Sequence, residues 1–182
     1  MGNPGERYRM TRHNAGFMAV DELCAKAAIS LKKPWLRSYA LGEGVWEGRR
    51  VCAAKPLTFM NRSGEVVPRI LSRFSLKPEN LLVLCDTMDL PAGALRLKTK
   101  GSSAGQKGLK SIISVLETED FMRLYIGVGR PAPGTDVLSH VLGMPEGEEA
   151  AAIALASGRA AQAVLRLLAE PPESVMNEIN TH

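Results

Sequence analysis

Two short, unbroken apolar runs, Val51-Cys52-Ala53-Ala54 and Leu81-Leu82-Val83-Leu84-Cys85, constrain this chain more than any other feature. A strand with one wet face alternates apolar and polar residues. A continuous run of four or five fits a strand covered on both faces, as in a largely parallel sheet. Around these runs the apolar period lengthens to that of a helix. Phe17, Val20, Leu23, Cys24 and Ala27 share one helical face, with Asn14 placed as its N-cap. Val66, Val67, Ile70, Leu71 and Phe74 share another, with Ser63 as cap and Pro68 demanding a kink or a later start. Leu95 and Leu97 alternate with Arg96 and Lys98, which predicts a half-buried strand with a basic outer face. Residues 101–108 form a glycine-rich loop before a short helix over 109–116, and Ile126 belongs to a further strand. A long helix over about 146–169 carries acids in its first turn and Arg166 near its end, both complementary to the helix dipole. Strands separated by helices predict an α/β class: a single domain over residues 1–182 with a mixed, largely parallel sheet flanked by helices.

Composition narrows the function classes. At 182 residues and 45% hydrophobic the chain can bury a substantial core. It has no run of eighteen apolar residues and does not open on a charged-then-apolar leader, so the expectation is a cytoplasmic protein that makes no contact with a membrane. Cys24, Cys52 and Cys85 are odd in number and widely spaced, which predicts reduced core thiols rather than a disulfide framework or a zinc site. Residues 146–182 hold six acids against two arginines, a net −4. The other 145 residues hold 21 basic and 13 acidic residues, a net +8. A positive field over that part favours a polyanionic partner, an RNA among them.

In open α/β sheets the reacting groups collect at the carboxyl ends of strands. Asn61 follows the first apolar run and Asp86 directly follows the second. Of the three histidines, His13, His140 and His182, only His13 lies outside the last quarter of the chain, within Thr11-Arg12-His13-Asn14-Ala15-Gly16-Phe17. An imidazole, with a reference pKa of about 6.5, can act as a general base near neutral pH. Taken alone, His13 reads more often as a surface histidine near a helix start, Asp86 as a turn or cap residue and Met60 as core filler, and Asn3 reads also as a plain turn residue. A nucleotide-binding reading of residues 101–108 fails, because their glycines do not have the fingerprint spacing.

The motifs taken together are more specific. Gly2-Asn3-Pro4-Gly5, the His13 segment, Lys55-Pro56-Leu57-Thr58-Phe59-Met60-Asn61-Arg62-Ser63-Gly64, Asp86-Thr87-Met88-Asp89-Leu90-Pro91-Ala92-Gly93, Leu109-Lys110-Ser111-Ile112 and Ile126-Gly127-Val128-Gly129-Arg130-Pro131 occur in one order from Gly2 to about Leu142. In this the chain resembles the bacterial peptidyl-tRNA hydrolases, enzymes that cut the ester between a peptide and tRNA.

The resemblance implies a phosphorylase/peptidyl-tRNA hydrolase-like fold and a monomeric hydrolase that needs neither metal nor cofactor. It implies that His13 is the base and Asp86 the group that orients it. It assigns Asn3, Tyr8, Met60, Asn61 and Lys107 to the substrate and Lys98 to the terminal tRNA phosphate. Arg96, Lys100, Lys107, Lys110, Arg123 and Arg130 lie in the same basic part of the chain, which predicts tRNA-phosphate contacts from Arg96 and Arg123 and further basic contacts from the others. Three positions depart from the pattern: Gln106-Lys107 stands in place of His-Asn, Cys85 in place of a histidine, and Tyr125 in place of an arginine of the phosphate clamp. These departures frame an alternative, an RNA-binding protein on the same fold, as in the chloroplast splicing factors that resemble this family. The pattern also begins with an apolar strand ahead of its Gly-Asn-Pro-Gly turn, whereas here Met1 directly precedes Gly2. The expectation is a start assigned too late and, for the chain beginning at Met1, a sheet lacking an interior strand.

Overall fold

The computed structural model describes residues 1–180, so His182 lies outside the described residues. The strands, in chain order, are β1 (Tyr39–Trp46), β2 (Arg49–Pro56), β3 (Leu82–Thr87), β4 (Leu95–Lys98) and β5 (Met122–Gly127). β1 and β2 pair antiparallel across the two-residue turn Glu47-Gly48, whose φ angles of 47° and 78° are those of a tight hairpin. β3 runs parallel to β5, and β4 lies antiparallel on the far side of β5. The architecture is α/β with a mixed sheet flanked by helices. The second apolar run supplies most of β3, as expected. The first was expected in the parallel part and lies instead in the antiparallel hairpin. Periodicity does not announce β1, because Gly42 and Gly44 interrupt it. A Cβ on Gly42 would stand 2.6 Å from the Ser30 carbonyl oxygen, so the close approach of β1 to the preceding segment requires a residue without one.

The helices are α1 (Ala15–Lys26), α2 (Val67–Arg73), α3 (Lys107–Leu116), α4 (Val137–Leu142), α5 (Gly147–Leu167) and α6 (Pro172–Ile179). Side-chain alternation sorts the sheet into two faces. Leu84, Leu95, Leu97, Leu124 and Ile126 pack with α1 and α5, whose Ala15, Ala19, Ala156 and Ala160 are buried in the same cluster. Val83, Cys85 and Tyr125 pack on the other face with Met60, Val67, Leu71, Leu109 and Ile112. α2 resolves the Pro68 conflict by starting late, with the proline in its first turn, where no helical donor is lost. Ser63 caps nothing: it is buried inside the 3-10 turn Met60–Val66, and its hydroxyl has no partner among the described residues. α3 begins two residues earlier than expected, capped by Gln106. Beyond α6, the Asn180 side chain bonds both the N–H and the carbonyl of Leu97, at 2.8 and 3.0 Å, and so covers the outer edge of β4.

β2 and β3 are not paired with each other. β3 gives the carbonyls of Leu81 and Thr87 to the β5 side, so the backbone groups of Leu82 and Leu84 face the opposite edge. On β2, the Leu57 N–H bonds Ser38 on the β1 side, which by the same alternation turns the groups of Cys52 and Ala54 away from β1. Between the two edges lies an apolar cavity of ≈ 390 Å³, lined by Met1, Cys52, Ala54, Leu82, Leu84 and Met122 among others. An apolar strand ahead of Gly2 would run along this slot parallel to β3, because Met1 already sits at one end with its amine donating to the Leu84 carbonyl.

As an ammonium that amine is poorly placed. Burial lowers its pKa from 8.0 to about 6, against smaller raising effects of Cys85 and Asp86. The unfolded chain therefore holds more protons than the folded one between those values, and stability rises with pH across the interval. For a chain starting at Met1, the unfolding free energy is expected to increase by about 2 kcal/mol from pH 6 to pH 8. Urea denaturation at the two pH values measures this, and acetylating the amine should remove the difference. Equal midpoints in the unmodified chain would contradict it.

Candidate active site

Local sequence explains why His13 and Asp86 meet. His13 lies in the 3-10 turn Arg12–Asn14 that leads into α1. α1 packs on the face of β3 that bears Leu84, and Asp86, two residues on, projects from that same face. Gly16 permits the close fit, since a Cβ there would stand 2.3 Å from the Leu84 carbonyl oxygen. The result is a contact of 2.7 Å between His13 Nδ1 and Asp86 Oδ2. Asp86 is 3% exposed, whereas the His13 side chain keeps 14% of its surface open. With Nδ1 committed to the carboxylate, Nε2 is the ring nitrogen left to face a substrate.

Asn3 is drawn into the same group. Its backbone N–H donates to Asn14 Oδ1 at 2.7 Å, Asn14 Nδ2 returns a bond to the Asn3 carbonyl at 3.0 Å, and the Met60 N–H donates to Asn3 Oδ1 at 2.8 Å. Asn14 thus occupies the N-cap position without capping; its amide clasps the Asn3 turn. The Met60 bond fixes the Asn3 amide so that its NH2 is the end left for a ligand. Gln106 closes the group from the opposite side of the sheet, donating from Nε2 to Asp86 Oδ1 at 2.9 Å and lying 3.4 Å from Met60 Sδ.

A further contact holds the His13 turn in place. Arg12 forms a forked pair with Glu149 of α5, at 2.6 and 2.5 Å, and reaches the His140 carbonyl at 3.2 Å. The hydrogen bond from Arg12 holds the Glu149 carboxyl below its usual range, and the same bond raises the guanidinium. This pair ties the His13 turn to α4 and α5. Its partners stand 137 residues apart, and nothing in the local pattern connects them.

The other expected residues are more dispersed. Tyr8 is half-buried at the end of the 3-10 turn Glu6–Tyr8, with the Arg7 guanidinium 4.5 Å over its ring. Asn61 is exposed in the second position of the turn Met60–Val66, and Lys107 is exposed as the first residue of α3. Asn61 adjoins Met60 and Lys107 adjoins Gln106 along the chain, and none of the three hydrogen-bonds the His13–Asp86–Asn3–Met60 group. Arg96 and Lys98 project outward from β4, between buried Leu95 and Leu97, as the alternation predicts. Lys100 and Lys110 are exposed as well, and Arg130 is exposed but paired with Asp89 at 2.8 Å.

Arg123 is a correction. It was expected among the tRNA-phosphate contacts, yet it is 0% exposed. Its guanidinium bonds the carbonyls of Gly101, Ser102 and Glu119 and lies 4.4 Å from the centre of the Phe121 ring. A cation enclosed by carbonyls and an aromatic ring anchors the 101–106 loop and cannot reach a solvent-borne phosphate. Tyr125 is buried beside it, and burial raises its phenol pKa. Cys85 is fully buried, which drives its thiol well above the usual range and leaves it a core residue, as expected. Among the described residues no three His, Cys, Asp or Glu side chains converge as metal ligands would, and no helix is long and apolar enough to cross a membrane.

A carboxylate-oriented imidazole at the carboxyl end of a strand in a mixed α/β sheet is the arrangement of a general acid–base enzyme. A family model described as peptidyl-tRNA hydrolase matches residues 1–182. The peptidyl-tRNA hydrolase of Halalkalibacterium halodurans is 44% identical over 180 residues, 99% of this chain and 97% of that protein. The one from Bacillus subtilis is 42% identical over 180 residues, 99% of this chain and 95% of that protein. The crystal structure of peptidyl-tRNA hydrolase from Acinetobacter baumannii superposes with a TM-score of 0.92 at 37% identity, covering all of this chain and 92% of that one. The chain belongs to the peptidyl-tRNA hydrolase family.

Proposed function

We propose that the protein hydrolyses the ester between the peptide and the terminal ribose of tRNA in peptidyl-tRNA, with His13 and Asp86 as the reacting pair. The observation that carries this assignment of roles is the 2.7 Å contact between His13 Nδ1 and a nearly buried Asp86. His13 Nε2 takes a proton from water, and the hydroxide adds to the ester carbonyl. Asp86 stabilises the imidazolium that forms and fixes its tautomer. Collapse of the tetrahedral oxyanion breaks the bond to the ribose oxygen, which leaves with the proton held on Nε2. The products are the peptide acid and free tRNA.

The Asn3 NH2 and the side chain of Asn61 supply neutral donors and acceptors suited to the first peptide group of the substrate. Met60 closes the floor beside them, and Tyr8 forms part of the wall. Lys107 brings positive charge to the rim, where it meets the substrate. Arg96 and Lys98, exposed on β4, take the tRNA phosphates. The protein works as a monomer in the cytoplasm. The relatives carry the hydrolase name, and the assembled pair favours the enzyme over the RNA-binding alternative. Incubating the purified chain with an N-acetylaminoacyl-tRNA should release N-acetyl amino acid together with full-length tRNA that can be charged again. Shortened or unchargeable tRNA would contradict ester cleavage.

A further inference from the structure

Gln106 departs from the family pattern, and its hydrogen bonds give it a task that the departure alone does not suggest. Its Oε1 accepts from the N–H groups of Gly108, at 2.5 Å, and Leu109, at 3.1 Å, in the first turn of α3. Those two donors fix which end of the amide is oxygen, so Nε2 must point the other way, at Asp86 Oδ1, 2.9 Å off. The other carboxylate oxygen is held by His13. With both oxygens engaged, Asp86 cannot turn about its terminal torsion. We propose that Gln106 is a positioning residue for the reaction, holding the Asp86 carboxylate in the one orientation that presents Oδ2 to His13. This rests on the reading of His13 and Asp86 as the reacting pair.

Three observations support the assignment. Gln106 is mounted on a rigid element, since Leu109 and Ile112 of α3 are 0% and 2% exposed against the sheet. The loop that leads to it is tied down at Gly101 and Ser102 by the buried Arg123. Finally, the group facing Asp86 Oδ1 is neutral. A cation in that place would pair with the carboxylate and compete with the imidazolium; an amide fixes the geometry and leaves the negative charge to His13.

Two substitutions separate this from a role in capping α3. Gln106→Ser keeps a good N-cap but cannot reach Asp86. Gln106→Glu keeps both the cap acceptor and the length, and sets a carboxylate against Asp86 in place of a donor. With N-acetylaminoacyl-tRNA as substrate, Gln106→Ser should lower kcat about 10-fold to 100-fold with KM within about two-fold of wild type. Gln106→Glu should lower kcat further, while both variants keep a cooperative melt. A wild-type kcat in Gln106→Ser overturns the proposal, as does a Gln106→Glu that turns over as fast as Gln106→Ser or faster. If the serine variant does not fold, the glutamate variant decides alone, and a kcat equal to wild type rejects the proposal. His13→Ala in the same assay keeps the two readings apart. If it retains wild-type turnover, the reacting pair itself is misassigned; if it loses turnover while Gln106→Ser does not, only the positioning role is.

Discussion

Replacing His13 with alanine is expected to lower the rate of ester hydrolysis about 100-fold to 10,000-fold while leaving tRNA binding nearly unchanged. The size of the loss follows from the absence of a substitute. His140, the other imidazole among the described residues, has its Nε2 against the Gly129 carbonyl at 3.1 Å, and among those residues no second imidazole is held by a buried carboxylate. Binding should survive because Arg96 and Lys98 are exposed on β4 and owe nothing to the imidazole. Asp86→Asn should show a related defect, since an amide cannot stabilise the imidazolium by charge. Single-turnover rates at saturating enzyme, measured beside filter binding of deacylated tRNA, separate chemistry from affinity. A wild-type rate in His13→Ala would remove His13 from the mechanism.

The second large effect concerns stability. Joining five or six apolar, β-branched residues ahead of Met1 is expected to raise the melting temperature by about 6–12 °C, corresponding to a gain of about 3 kcal/mol in a domain of this size. Such a segment would fill the ≈ 390 Å³ slot, meet the outward-facing backbone groups of Cys52, Ala54, Leu82 and Leu84, and convert the buried Met1 amine into a peptide N–H. The Leu84 carbonyl would keep its donor, and the cost of deprotonating the amine in order to bury it would vanish. Burying each large aliphatic side chain contributes about 1.5–3 kcal/mol, opposed by about 1–2 kcal/mol per residue of backbone ordering, so a modest net gain is what remains. Thermal melts of the two chains at pH 7 decide this. Coincident, cooperative transitions would show that the slot is closed by other means.

The sequence makes legible what depends on local period and on motif order. β3, β4, α1 and α5 follow from apolar spacing, and the proline rule narrows α2 to a kink or a late start, because each is decided by residues a few positions apart. β1 escapes, since Gly42 and Gly44 serve a contact with the segment before the strand and erase the alternation that marks a strand. The hairpin partnership of β2 escapes with it. In the site, His13, Asp86, Asn3 and Met60 are brought together as the motifs imply. What stays hidden is long-range. The Arg12–Glu149 fork and the Asn14–Asn3 clasp join residues whose types suit ordinary surface or capping duties. Arg123 shows the reverse error: a basic residue in a basic half of the chain suggests a phosphate contact, but its place on β5 puts it beneath the 101–106 loop, where backbone carbonyls enclose it. Only burial distinguishes the two readings. The interior position of its strand was the available hint.

The central claim, that this chain hydrolyses the ester of an acylated aminoacyl-tRNA at the His13–Asp86 site, is tested most directly by substrate discrimination. The same tRNA, carrying either an N-acetylated or a free amino acid, is offered to the purified protein and the rate of ester loss is followed. Neutral amide-binding groups such as Asn3 and Asn61 match an acylated nitrogen and leave a charged ammonium without a counter-charge, so the N-acetylated substrate should react at least about 100-fold faster. Equal rates for the two substrates, or no ester loss above the protein-free control, would contradict the account.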